Sequence, residues 1–167
     1  MRKFILYSAG AIAVLATGVQ SAHAQVQPPR PLAVYVNPAQ PLSFGAFYQS
    51  GGGGSIVMSS SGFRSATGDV VLANLGYSVS PALFEVEGLP GTIVTLMNGP
   101  DVTLRGSNGG SMVLHLGDSN PTAPFLLTSN SPSRTVVTVG GTLTVGSAGA
   151  NPPGIYNGSF SITFIEQ

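Results

Sequence analysis

The chain of 167 residues has no cysteine and no tryptophan, and only 7% of its residues are charged. Without cysteine there is no disulfide, no thiol nucleophile and no thiolate metal site, so burial and hydrogen bonding alone must hold the fold. Without tryptophan the broadest aromatic platform for stacking a sugar ring is missing. The charge content is far below the roughly 25% of an average soluble domain. Lysine occurs once, as Lys3, and no basic cluster exists, which argues against nucleic acid as a partner. A surface this poor in charge has little self-repulsion, which suits a protein that assembles or sits on a cell surface. No apolar run approaches the ~20 residues needed to span a bilayer.

What is present begins with a leader. Arg2-Lys3 precedes an apolar stretch over residues 4–15, followed by Ala22-His23-Ala24. A basic start, a short apolar run and small residues before the cleavage point make a secretory signal peptide over residues 1–24, with cleavage between Ala24 and Gln25. The expected location is therefore exported: periplasmic, cell-surface or extracellular. The remaining chain suits one domain with a sizeable core. It carries four arginines (Arg30, Arg64, Arg105, Arg134) against six acids, a slight excess of negative charge. Residues 25–31 contain three prolines and read as an extended tail, leaving residues 32–167 as the folded domain.

That domain shows short apolar runs with period two, punctuated by glycine and proline. Leu32, Val34 and Val36 share one face of a first strand, and Asn37-Pro38 ends it. Residues 42–47 read as a second strand. Ser50-Gly51-Gly52-Gly53-Gly54-Ser55 reads as a flexible hairpin connection, since neither the lysine nor the helix of a phosphate loop follows it. Residues 59–68 read as another loop. Phe84 and Val86 point inward on a strand that turns Glu85 and Glu87 outward; Met112, Leu114 and Leu116 share a face further on. Phe125-Leu126 is a candidate short edge strand, and Gly140-Gly141 reads as a hairpin turn. The longest alternation is the last: Tyr156, Phe160, Ile162 and Phe164 fall on one face of a strand that starts near Gly154, with small polar residues between. Roughly ten short strands with turn residues between them predict an all-β fold, an antiparallel β-sandwich of immunoglobulin-like or pilin-like form.

Chemistry is hard to find in this pattern. His115 is the only histidine after the leader, with neither a second histidine nor a nucleophile elbow, and reads as a strand-surface residue. Glu85 and Glu87 lie about 7 Å apart on one face, the spacing of any two alternate strand residues. Asp101, Asp118 and Asn120 have no spacing resembling an oxygen-ligand loop for calcium. No catalytic residue, cofactor or metal site is expected, and the chain is not expected to be an enzyme.

Four landmarks, taken together, resemble a bacterial family of exported domains, the domain of unknown function 4402 family. They are Leu42-Ser43-Phe44-Gly45, Phe84-Glu85-Val86-Glu87-Gly88, Val139-Gly140-Gly141-Thr142-Leu143 and Gly154-Ile155-Tyr156-Asn157-Gly158-Ser159-Phe160. Gly-Ile-Tyr stands where the family usually has Gly-Thr-Tyr, a change that a strand position tolerates. The resemblance covers about residues 32–165 and implies an exported β-domain with no assigned catalytic residues. The final strand also resembles that of chaperone–usher pilins and spore-coat-U-like subunits, which implies strand exchange between like subunits or with a periplasmic chaperone. On that resemblance the assembly residues are Leu32, Val34 and Val36 at the start, and Gly154, Tyr156, Phe160, Ile162 and Phe164 at the end. Whether the first strand pairs at home or in a neighbour stays open at this level. The expected function is a structural or adhesive cell-surface subunit; the alternative is a self-contained exported module binding a carbohydrate or another surface ligand.

Overall fold

A computed structural model describes residues 31–167; the leader and the tail up to residue 30 lie outside the described residues. Every strand pairing is antiparallel and no helix occurs among the described residues, as the period-two pattern predicts. The strands are β1 (Ala33–Val36), β2 (Ala46–Met58), β3 (Arg64–Ala73), β4 (Ala82–Glu87), β5 (Ile93–Asn98), β6 (Val102–Gly106), β7 (Ser111–Asn120), β8 (Phe125–Leu126), β9 (Thr135–Val145), β10 (Tyr156–Asn157) and β11 (Ile162–Glu166).

An eight-stranded sheet runs β1-β4-β9-β7-β6-β10, with β2 joined to β9 and β3 joined to β2; a three-stranded sheet, β11-β5-β8, faces it. The organising strand is β9. One of its edges takes β4 along residues 135–139 and β2 along residues 141–145, while β7 occupies the other edge. Its inward residues Val137 and Val139 have no solvent exposure at all, which fits β-branched side chains on a strand covered by neighbours on both sides. Two apolar clusters result. One lies between the sheets and joins Phe84, Val86 and Val137 to Val94 and Phe125; the other lies on the large sheet around Ile56, Met112, Leu114 and Leu143.

Five readings of the sequence are corrected. The glycine run 51–54 is not a hairpin connection but an irregularity inside β2: the pairing with β3 breaks after Gln49 and resumes at Gly54. Here the chain passes so close to its neighbours that a Cβ on Gly54 would stand 2.1 Å from the Thr67 carbonyl oxygen, and one on Gly53 2.5 Å from that of Val145. The hairpin turn falls instead at residues 59–63, closed by a hydrogen bond from Ser59 N to Phe63 O, so β3 starts inside the stretch read as a loop. Gly140-Gly141 is likewise no turn: β9 runs straight through it, because the glycines let β2 and β7 close in from both sides.

The fourth correction concerns the last strand, which is two strands. β10 pairs with β6 in the large sheet and β11 with β5 in the small one, and residues 158–161 cross between them. The alternation nevertheless survives the crossing. Tyr156, Phe160, Ile162 and Phe164 all turn inward, and Phe160 and Ile162 touch both clusters. The stretch read as a second strand, residues 42–47, contributes only a bridge at Ser43, paired with Ser80, before β2 begins.

Candidate functional site

Three strands cannot cover eight at the ~4.8 Å spacing of neighbouring strands. The small sheet covers the cluster on β4 and the first half of β9. Over β6, β7 and the second half of β9 the cover is made of residues 41–47 and 151–160, which are connecting chain apart from the start of β2 and the two residues of β10, and these leave a cleft of about 520 Å³. Its floor is Leu104, Met112, Leu114 and Leu143, the inward residues of three adjacent strands.

One bank carries Phe44 and Phe47. It is held by the hydrogen bond from Ser43 Oγ to the Ser78 carbonyl (2.6 Å) and by Arg64, whose guanidinium donates to the carbonyls of Phe44, Ala46 and Ala73. The short stretch 46–49 pairs with β3 on one side, and none of the other described strands pairs with it. The opposite bank is fixed by Asn151, buried to 2% exposure, which donates to the carbonyls of Ser111 and Ala150 and accepts the Gly146 N–H. The Tyr156 hydroxyl donates to the Pro152 carbonyl at 2.7 Å. At the mouth stand Tyr77 and Ile155, both largely in solvent.

The lining contains no carboxylate, imidazole, amine or guanidinium. Such a cleft can hold an apolar or neutral group by shape and desolvation, and its polar groups are amides, hydroxyls and backbone. The titratable residues weighed in the sequence lie elsewhere. His115 Nδ1 sits 2.6 Å from Asp101 Oδ1 on an exposed face of β7 and its neighbouring loop. Among the described residues no group of three metal-ligating side chains converges.

Glu85 and Glu87 flank Arg134 instead. Arg134 Nη1 donates to Glu85 Oε2 at 2.8 Å, and its guanidinium lies 3.6 Å over the Tyr35 ring of β1. The hydrogen bond to Glu85 raises the arginine pKa further, so the charge persists at any working pH. Ser131 Oγ donates to Glu87 Oε1, and a smaller hollow of about 180 Å³ opens beside Pro31, Ala33 and Tyr35. β1 pairs within its own chain, Val34 opposite Val86 and Val36 opposite Phe84, and Arg134 clamps it there. Leu32 packs on the cluster between the sheets, but Val36 is 68% exposed because no strand of the small sheet reaches over it. We therefore expect Arg134→Ala to speed amide exchange in β1 several-fold while barely moving the melting temperature, since four residues at a sheet edge can open locally. A uniform change in exchange over all strands would show that the clamp acts globally instead.

The candidate assembly residues thus separate. Gly154, Tyr156 and Phe160 line the cleft, Ile162 and Phe164 are inward residues of β11 in the small sheet, and Val34 and Val36, with Leu32 just before them, lie at the opposite end of the large sheet. Missed in the sequence were Phe44, Phe47 and Tyr77. Phe44 stood in the sequence only as part of a family landmark, and Phe47 and Tyr77 carried no signal beyond lying in stretches without charge.

A family model described as Domain of unknown function (DUF4402) matches residues 34–165. No curated protein and no solved structure matches the chain.

Proposed function

The chain belongs to the DUF4402 family, and we propose that it is an exported structural subunit that assembles with like subunits at the cell surface. The observation that carries this reading is the uncharged cleft over the large sheet, open at a mouth where apolar side chains stand in solvent. Exposed apolar side chains set beside an apolar hollow mark a place where something docks. The low charge of the chain supports the same reading, because copies can approach without repulsion. β1 is clamped in its own sheet, so assembly by donating that strand would require it to leave β4 first.

A second reading has one observation in its favour. Phe44, Phe47, Tyr77, Tyr156 and Phe160 all line the cleft, and aromatic faces beside amide side chains suit a neutral sugar. The two readings separate in one experiment on residues 25–167. Sedimentation over a wide range of protein concentration should show reversible self-association under the assembly reading. A strict monomer that binds neutral oligosaccharides by calorimetry would favour the binding module. Export is tested alongside. The protein recovered from outside the cytoplasm should have an intact mass that begins at Gln25, and a retained leader would overturn that expectation.

A further inference from the structure

We infer that the cleft and its own rim form one self-complementary patch, so that in a two-fold dimer the rim of each copy enters the cleft of the other. This rests on the assembly reading above and names its contact. The rim segment between β3 and β4 carries Leu75 and Tyr77, 70% and 69% exposed, and across the mouth Ile155 is 67% exposed. These are among the most exposed large apolar residues described, and Tyr77 and Ile155 also line the cleft. Projecting apolar groups therefore stand beside a hollow of matching chemistry.

The absence of charge suits a second copy as the occupant. In a two-fold interface each surface meets itself, so charges near the axis face their own like and repel. Residues 37–49, 74–80 and 146–160, which make the banks and the mouth, contain no charged side chain. Apart from Arg64, the charges of the described domain lie outside these segments: Arg134 with Glu85 and Glu87, Asp101 beside His115, Arg105 on β6, Asp118 on β7, Asp69 on β3 and Glu166 on β11. Arg64 is near one bank, but its guanidinium is tied to three carbonyls and does not line the cleft. The mouth is thus a face that can meet its own copy without electrostatic cost, and its apolar residues gain by leaving water.

The test is sedimentation of residues 25–167 and of three single variants: Leu75→Glu, Tyr77→Glu and, as a control on the outer face of the small sheet, Met97→Glu. All three residues are exposed, so thermal melts should stay close to the parent. If a glutamate variant fails to fold, the glutamine variant at the same position replaces it. The inference expects a parent that closes at a dimer, weakened roughly tenfold or more by Leu75→Glu and by Tyr77→Glu, the scale of an interface hot spot, and unchanged by Met97→Glu. Dimers that persist in both rim variants would overturn this contact while leaving assembly intact. Equal loss in all three variants would assign association to surface charge in general and overturn it too, as would growth beyond a dimer. A monomeric parent would overturn this inference together with the assembly reading, and would return the cleft to a neutral ligand.

Discussion

Replacing Phe160 or Ile162 with aspartate is expected to remove a large part of the domain's stability. Both side chains touch the cluster between the sheets and the cluster under the cleft, so they are where the two halves of the core join. Aspartate there must either bury a charge without a partner or pull residues 158–161 out of the crossing. Truncating a large core side chain costs about 3–5 kcal/mol, and an unpaired buried charge adds to that. Neither residue is fully buried, which places the expected loss toward the lower end. Even about 3 kcal/mol is a large part of the ~5–15 kcal/mol that a domain of this size has in total. Ser161 lies between them with its side chain outward, and Ser161→Asp should cost less than about 1 kcal/mol. Urea unfolding of the three variants measures the difference. If Ser161→Asp were the most damaging, the inward face would be misassigned by one residue.

The second large effect is expected from Gly140→Val in the middle of β9. A Cβ at that position would stand 2.2 Å from the Met58 carbonyl oxygen and 2.8 Å from the carbonyl carbon of Ser59. Those are backbone atoms at the end of β2, which cannot swing aside as a side chain would. Relief requires β2 and β9 to separate where β2 leaves the sheet, and overpacking of this kind costs about 3 kcal/mol or more. Gly149→Ala is the matched comparison, because nothing lies within 4 Å of the added carbon and the change should stay within about 0.5 kcal/mol. Equal midpoints for the two variants in chemical denaturation would show that the strands there are free to part.

Both predictions bear on what could be read before the structure. The alternation of Tyr156, Phe160, Ile162 and Phe164 named the inward residues correctly, even though the strand carrying them is broken and changes sheet. The same holds for Phe84 and Val86, and for Met112, Leu114 and Leu116, which form part of the core and of the cleft floor. Side-chain direction along an extended chain depends only on neighbours in sequence, so period two reports it wherever the chain is extended. The glycines were misread for the complementary reason. Gly53, Gly54, Gly140 and Gly141 are needed because other parts of the chain approach them, and an approach from Thr67, Val145, Met58 or His115 leaves no trace next to the glycine itself.

By itself, then, the sequence determined an all-β, antiparallel domain without disulfides, and which side chains face inward. The tertiary structure alone decided which strands pair, that β1 stays at home under Arg134, and that three strands face eight. The cleft follows from that mismatch in sheet width. It is bounded by residues 41–47 and 151–160, more than a hundred positions apart. A local pattern can say that each of these segments has an apolar side, but not that a sheet too narrow to cover the core would leave both of them to cover it.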